Sequence, residues 1–347
     1  MYIKKILLAI VFIGLAVAAF FAYYVYNTMF NPNTKFNNDT AYIYVKSTDS
    51  YDDVRQQLES LLLDIDKFDA LAEQKKYTSN VKGGRFAIKK DMNNNDIINS
   101  IRSKNLPIKV SFNNQETLEK LAGRIAIQIE ADSISILTAM KENAFLDKNN
   151  FKQATALGMY LPNSYEFFWN TSAEKFRERM LKEYNRFWNT SRLAKAKALN
   201  LSKDEVLTLA SIVYEESKQA SEQPRIAGVY LNRIKNRWTL DADPTLKFAA
   251  YKLPKYKNTI IKRVLDVHKE IDSPYNTYKN IGLPPGLIAM PDVSAIDAVL
   301  NYENHRYFFF CADAKRLGFH KFAKTLSQHN VNAREYHRYL SSQGINR

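Results

Sequence analysis

The sequence predicts an α+β chain carried by one N-terminal membrane-spanning helix. Three observations lead there. The chain opens on an uncharged apolar run, the hydrophobic period then switches between two and 3.6 residues within a short region, and a long remainder mixes amphipathic helices with a few strands. With 347 residues and 46% hydrophobic side chains the chain can build a real core, enough for one large domain and one small one.

Residues Ile6 to Tyr26 contain no charged side chain. Crossing a hydrocarbon core of about 30 Å takes roughly 20 helical residues. Lys4 and Lys5 precede the run, which puts residues 1–5 in the cytoplasm and the rest of the chain outside. A cleaved signal peptide is the rival, with Ala16-Val17-Ala18 as its small-residue site. Its apolar stretch would be about 7–15 residues, whereas this one runs on through Phe20, Phe21, Tyr23 and Tyr24, aromatics suited to an interface. Asn27 to Thr40 reads as a polar linker.

A small α+β module is expected over residues 41–105. Tyr42-Ile43-Tyr44-Val45 reads as a strand and Tyr51 to Leu63 as a helix. A further helical segment, a strand at Gly83 to Ile88 and a helix at Asn93 to Ile101 follow. The larger part, residues 106–347, begins with a strand at Ile108 to Phe112. Helices are expected at Glu116 to Ile129, Ser133 to Glu142 and Ala173 to Trp188. Gly282-Leu283-Pro284-Pro285-Gly286 must be a tight loop. Tyr307 to Cys311 reads as a buried strand. Cys311, the one cysteine, excludes an internal disulfide and cysteine-rich zinc sites, and reads as an inert core thiol.

The net charge of +14 favours polyanions: nucleic acid, anionic lipid or a carboxylate-bearing wall polymer. Outside a membrane the last two are the sensible partners. The basic, aromatic segment from Phe176 to Phe187 is an amphipathic helix with a solvated face rather than a nucleic-acid surface.

One helix carries chemistry. Ser202-Lys203-Asp204-Glu205 has the Ser-x-x-Glu form of a capping box. Val206, Leu209, Ala210 and Val213 form the apolar stripe. Glu215 falls with Asp204, Thr208 and Ser211 on the polar face, while Glu216 lies on the flank of the stripe. A carboxylate there is partly desolvated, which raises its pKa toward what a general acid requires. The bland reading is a helix-end glutamate that reaches solvent or pairs with Lys218 or Arg225. Downstream, Ala227 to Ile234 reads as a helix with Val229, Tyr230 and Ile234 apolar and Asn232-Arg233 polar. Asp241 to Thr245 is a turn or helix start, and Tyr275-Asn276-Thr277-Tyr278 a polar-aromatic loop with groups suited to sugar hydroxyls and N-acetyl groups.

Leu209-Ala210-Ser211-Ile212-Val213-Tyr214-Glu215-Glu216 resembles the Leu-Ala-Ser-Ile-Val-x-x-Glu motif of the endolytic peptidoglycan (murein) transglycosylases, the MltG/YceG-like family. In family order the chain also has Val229-Tyr230-Leu231-Asn232-Arg233, Leu240-x-x-Asp243-Pro244-Thr245 and Tyr275-Asn276-Thr277-Tyr278. Gly282 to Ala289, His320-x-Phe322 and His329-Asn330 complete the set. The match is strongest from about Gly158 to Tyr339. Leu157 and Asn163 replace two acids of the family pattern, so roles tied to those acids do not carry over; Tyr214 stands where many relatives have a charged residue.

The resemblance implies a membrane-anchored enzyme with a LysM-like module and a mixed α/β catalytic domain. It implies internal cleavage of glycan strands between N-acetylmuramic acid and N-acetylglucosamine, leaving a 1,6-anhydro end. The family's catalytic glutamate maps to Glu216. Asp243, Thr245, Tyr275, Asn276, Tyr278, His320, His329 and Asn330 are the candidates for binding substrate, with Asp243 equally able to cap a helix. No cofactor is expected, and His320 and His329 lack a third ligand at a spacing that would hold a metal. Expected partners are peptidoglycan, the cytoplasmic membrane and the wall-synthesis machinery, and not nucleic acid. The alternatives are a hydrolytic muramidase with two carboxylates and a non-catalytic wall-binding scaffold.

Overall fold

The computed structural model describes residues 2–256, 259–261 and 263–343. The chain is a mixed α+β protein with one long apolar N-terminal helix and two compact units. The first comprises Met1–Val110, Ile127–Ala131 and Tyr165–Ser172. The second comprises Ser111–Ala126, Asp132–Ser164 and Ala173–Arg347.

In the first unit, helix α1 (Tyr2–Phe30) is long and apolar enough to cross a membrane. Its side chains are exposed along almost its whole length, and Thr28 near its end is buried. The following residues are pinned rather than free, contrary to the expected linker. Asn33 N–H donates to the Met92 carbonyl at 2.9 Å and Lys35 N–H to that of Leu61 at 2.9 Å. Asn94 Nδ2 donates to the Thr28 carbonyl at 2.8 Å. Buried amides left unpaired are costly, and these close that account.

Strand β1 (Thr40–Val45) is followed by α2 (Tyr51–Glu59), α3 (Ile65–Gln74), β2 (Gly84–Lys89) and α4 (Asn94–Ser103). The two strands pair antiparallel, with Ile43 opposite Phe86 and Thr40 opposite Lys89. Period-two alternation sends Ile43 and Val45 inward and leaves Tyr42 and Tyr44 exposed. Val54, Leu58, Phe68, Leu71, Ile97 and Ile101 from the helices complete that core. Helix α2 stops at Glu59, short of the expected Leu63. Strands β3 (Pro107–Phe112) and β4 (Asn163–Phe168) form a separate two-stranded sheet.

The second unit is largely helical. It contains α5 (Leu118–Ala126), α6 (Ser133–Lys141), α7 (Asn143–Lys148), α8 (Ala173–Phe187), α9 (Thr190–Ala198), α10 (Lys203–Glu216) and α11 (Gln223–Lys235). Then come α12 (Asp243–Tyr251), α13 (Asp266–Lys269), α14 (Val293–Leu300), the antiparallel pair β5 (Phe309–Ala312) and β6 (His320–Ala323), and α15 (Leu326–Ser342). Helix α10 starts as the capping box requires. Glu205 N–H donates to Ser202 Oγ at 3.2 Å, and Ser202 N–H donates to the Glu205 carboxylate at 2.8 Å.

The expected polar face of α10 is solvated only at its two ends, where Asp204 is half-exposed and Glu215 exposed. Every residue from Val206 to Val213 is buried, Thr208 and Ser211 included, because α9, α11, α12 and α14 all pack against this helix. Ser211 survives burial by returning its hydrogen bonds locally: its hydroxyl donates to the Thr208 carbonyl at 2.7 Å and accepts from Ile288 N–H at 3.2 Å. The Pro-Pro-Gly loop is as tight as expected. A Cβ on Gly286 would lie 2.3 Å from the Ala154 carbonyl oxygen.

Candidate active site

The buried run of α10 ends at Val213, and in the last turn Glu215 is exposed while Glu216 is half-buried. Ser217 breaks the helix with extended backbone, and buried Gln223 secures the break by donating to the Ser217 carbonyl at 3.0 Å. The chain then starts α11, with Pro224 in the first turn, where its missing N–H costs nothing.

Helix α11 presents Ile226, Val229, Tyr230 and Arg233 at helical spacing, and all four are buried. Tyr230 Oη donates to Glu216 Oε1 at 2.5 Å. Arg233, expected on the polar side, is 7% exposed. It tolerates burial because its donors are taken: Nε by the Phe308 carbonyl at 2.8 Å, and Nη1 by the Leu240 carbonyl at 2.7 Å and Asp241 Oδ2 at 3.0 Å. One guanidinium thus ties α11 to the approach of β5 and to the turn before α12.

A cleft of about 430 Å³ opens beside Glu216. Its lining includes Tyr230, Arg233, Asp241, Asp243, Tyr278, Phe310, Cys311, His320 and His329. Asp243 is the first residue of α12 and its Oδ1 accepts from Tyr278 Oη at 2.7 Å. It makes no side-chain cap. His320 opens β6; its backbone N–H and its Nδ1 both meet the carboxylate of Glu222, each at 2.8 Å. Glu222 is 6% exposed. His329 stacks on Phe309 at 5.5 Å between ring centres. Burial, and then the Arg233 charge, pull its pKa below the usual histidine value. Cys311 is half-buried on the cleft wall rather than in the core, and burial pushes its thiol up.

Burial pushes the Glu216 carboxyl from 4.5 up to about 7. The Tyr230 hydrogen bond opposes this, the Asp243 charge reinforces it, and His320 and Lys247 oppose it more weakly. The bases that the bland reading offers as partners are engaged elsewhere: Lys218 with Glu215 at 2.8 Å and Arg225 with Glu303 at 2.9 Å. Burial and the adjacent Glu216 hold the Tyr230 phenol well above its ordinary value, so it remains a neutral donor.

Five of the nine site residues expected from the sequence therefore share one cleft: Glu216, Asp243, Tyr278, His320 and His329. Four do not line it. Thr245 is fully buried and donates to the Ala242 carbonyl at 2.7 Å. Asn276 is fully buried, its amide donating to the carbonyls of Lys269 and Ile271 at 2.8 Å each. Tyr275 packs its ring 4.7 Å from that of Phe248, and Asn330 is exposed on α15. The first two shape the loops from beneath. Glu222 was missed altogether, as was the buried position of Arg233; Tyr230 lies buried, as its place on the apolar side of the helix predicts. Arg233 had a readable signal, three residues after Tyr230 and seven after Ile226 on one helix face.

The arrangement is a half-buried glutamate carboxyl of raised pKa, held by a phenol, in a polar-aromatic cleft of a helical unit. This chain belongs to the YceG-like family, whose model matches residues 43–335. It is 30% identical over 285 residues to an endolytic murein transglycosylase of Bacillus subtilis, covering 77% of this chain and 75% of that one. A Streptococcus pneumoniae endolytic murein transglycosylase is 26% identical over 301 residues, covering 78% of this chain and 53% of its own length, so this chain spans about half of that relative. A crystal structure of a yceG-like protein from Listeria monocytogenes superposes with a TM-score of 0.57 at 25% identity, covering 85% of this chain and 99% of that one.

Proposed function

We propose that this chain is a membrane-anchored lytic transglycosylase that cuts peptidoglycan strands internally, between N-acetylmuramic acid and N-acetylglucosamine, leaving 1,6-anhydro ends. The observation that carries this reading is Glu216: a carboxyl at about 7, hydrogen-bonded to Tyr230 and open to a cleft. The relatives' activity supports the same substrate.

Near neutral pH such a group exists in both forms, which is what an acid that must then act as a base requires. Tyr230 occupies Oε1, which leaves Oε2 to carry the proton toward substrate. That proton goes to the glycosidic oxygen as the bond to the anomeric carbon breaks. The C6 hydroxyl of the same muramic residue then attacks that carbon and gives its proton to Glu216. Atoms and protons balance with no water consumed and the carboxyl restored. Asp243, with one oxygen held by Tyr278, supplies negative charge to the positive anomeric centre. His320, steered through Nδ1 by Glu222, turns its other ring nitrogen to orient the sugar, and His329 contributes a neutral ring.

Residues 6–26 act as the anchor, with residues 1–5 inside and the cleft outside the cytoplasmic membrane. The unit around residues 41–105 serves as a LysM-like module and residues 106–347 as the catalytic domain. Asp243 in the same cleft favours one second reading, a hydrolytic muramidase in which it activates water. Glu216→Gln tests the core of the proposal, since removing a general acid typically costs about 10²–10⁴-fold in rate. Cleavage of purified glycan at the wild-type rate by that variant would refute it.

A further inference from the structure

A second cavity, of about 440 Å³, lies in the same unit. Phe248, Tyr251, Ile261 and Ile288 give it apolar walls, and Lys247 and Lys252 line it as well. Its acids are neutralised by their own partners: Glu116 pairs with Lys120 at 2.5 Å and Glu215 with Lys218 at 2.8 Å. Among the described residues, neither Lys247 nor Lys252 forms an ion pair with a carboxylate. Lys252 instead holds its ammonium 4.3 Å over the rings of Phe248 and Tyr275, and burial pulls its pKa down. The site therefore presents apolar surface with two uncompensated positive charges, which suits an apolar chain bearing carboxylate.

The two cavities share a wall. Glu216 and Asp243 line the cleft, while their chain neighbours Glu215 and Pro244 line the second cavity. Lys247 from that cavity acts electrostatically on Glu216. An uncharged sugar ring offers these lysines nothing. A muramic residue with its bond at Glu216 carries, on its lactyl ether, a short peptide that has both aliphatic side chains and carboxylates.

We propose that this cavity receives the anionic peptide stem of the muramic residue being cut, so that stem-bearing strands are cleaved in preference to bare glycan. The inference rests on the proposed function, because it takes the cleft to hold muramic acid. Lys247 and Lys252 meet the stem carboxylates, and Phe248 and Tyr251 pack its side chains.

The test uses the full-length chain in detergent and three substrates: stem-bearing strands, strands stripped by an amidase, and strands whose stem carboxylates are capped as amides. The expected kcat/KM is about tenfold higher for the stem-bearing strand, the worth of one charge-assisted contact. Capping removes most of that preference. Lys252→Gln brings the ratio toward one, and Lys252→Arg restores it. Equal cleavage of all three by the wild type, or an unchanged ratio in Lys252→Gln, overturns the proposal. Calorimetry with a free muramyl tripeptide separates the two claims. Binding weakened by Lys252→Gln, in a chain that cuts no glycan, would sink the function and keep the site. Cleavage without any tripeptide binding would sink the site and keep the function.

Discussion

Glu216→Gln changes the pH dependence of stability by an amount that the site itself determines. A glutamate that titrates near 4.5 when unfolded and at about 7 when folded keeps its proton in the folded chain across that window, after the unfolded chain has lost it. Wild-type stability therefore falls as pH rises from 4.5 through 7, and glutamine feels no such loss. The variant's advantage should be about 1 kcal/mol at pH 5 and about 3 kcal/mol at pH 8, taking about 1.4 kcal/mol for each tenfold change in the proton equilibrium. At about 2–4 °C per kcal/mol for a unit of this size, the gap in melting temperature should widen by roughly 5–10 °C between the two pH values. Thermal melts of both full-length proteins in one detergent at pH 5 and pH 8 make the measurement. A constant gap would mean that Glu216 is an ordinary solvated carboxylate, unprotonated at neutral pH and unable to serve as the acid.

Two further outcomes follow from the same geometry. Tyr230→Phe removes the hydrogen bond that lowers the Glu216 pKa, so the fall in kcat with rising pH, expected near pH 7 in the wild type, should move to higher pH while kcat itself drops; a pH–rate profile identical to wild type would be inconsistent with this role. Arg233→Met leaves the carbonyls of Phe308 and Leu240 and the Asp241 carboxylate without their buried donor, and denaturant titration should find a loss of about 3–5 kcal/mol; a loss below about 1 kcal/mol would mean that solvent replaces the guanidinium.

Much of the frame was legible because it rests on local rules. Ser202 and Glu205 announce the start of α10 through cap chemistry alone, and the uncharged run Ile6 to Tyr26 announces α1 through length and composition. Glu216 stood out because the helix before it is apolar. What failed depends on tertiary packing. Thr208 and Ser211 read as a solvated face because their hydroxyls are polar, yet four helices surround α10. Arg233 read as surface for the same reason. Thr245 and Asn276 read as substrate contacts because a loop amide or hydroxyl looks alike whether it faces ligand or backbone; here both bond to backbone carbonyls. Glu222 was invisible because its meaning lies in His320, 98 residues further along the chain.

The central claim is that one carboxyl performs both proton transfers while the sugar's own C6 hydroxyl takes the place of water. Digesting purified glycan strands in heavy-oxygen water and weighing the fragments tests this most directly. The account predicts wild-type fragments with anhydro ends, one water lighter than reducing ends and free of solvent oxygen, and none of them from Glu216→Gln. Fragments that carry one solvent oxygen at a reducing end would contradict it and assign the cleft to hydrolysis.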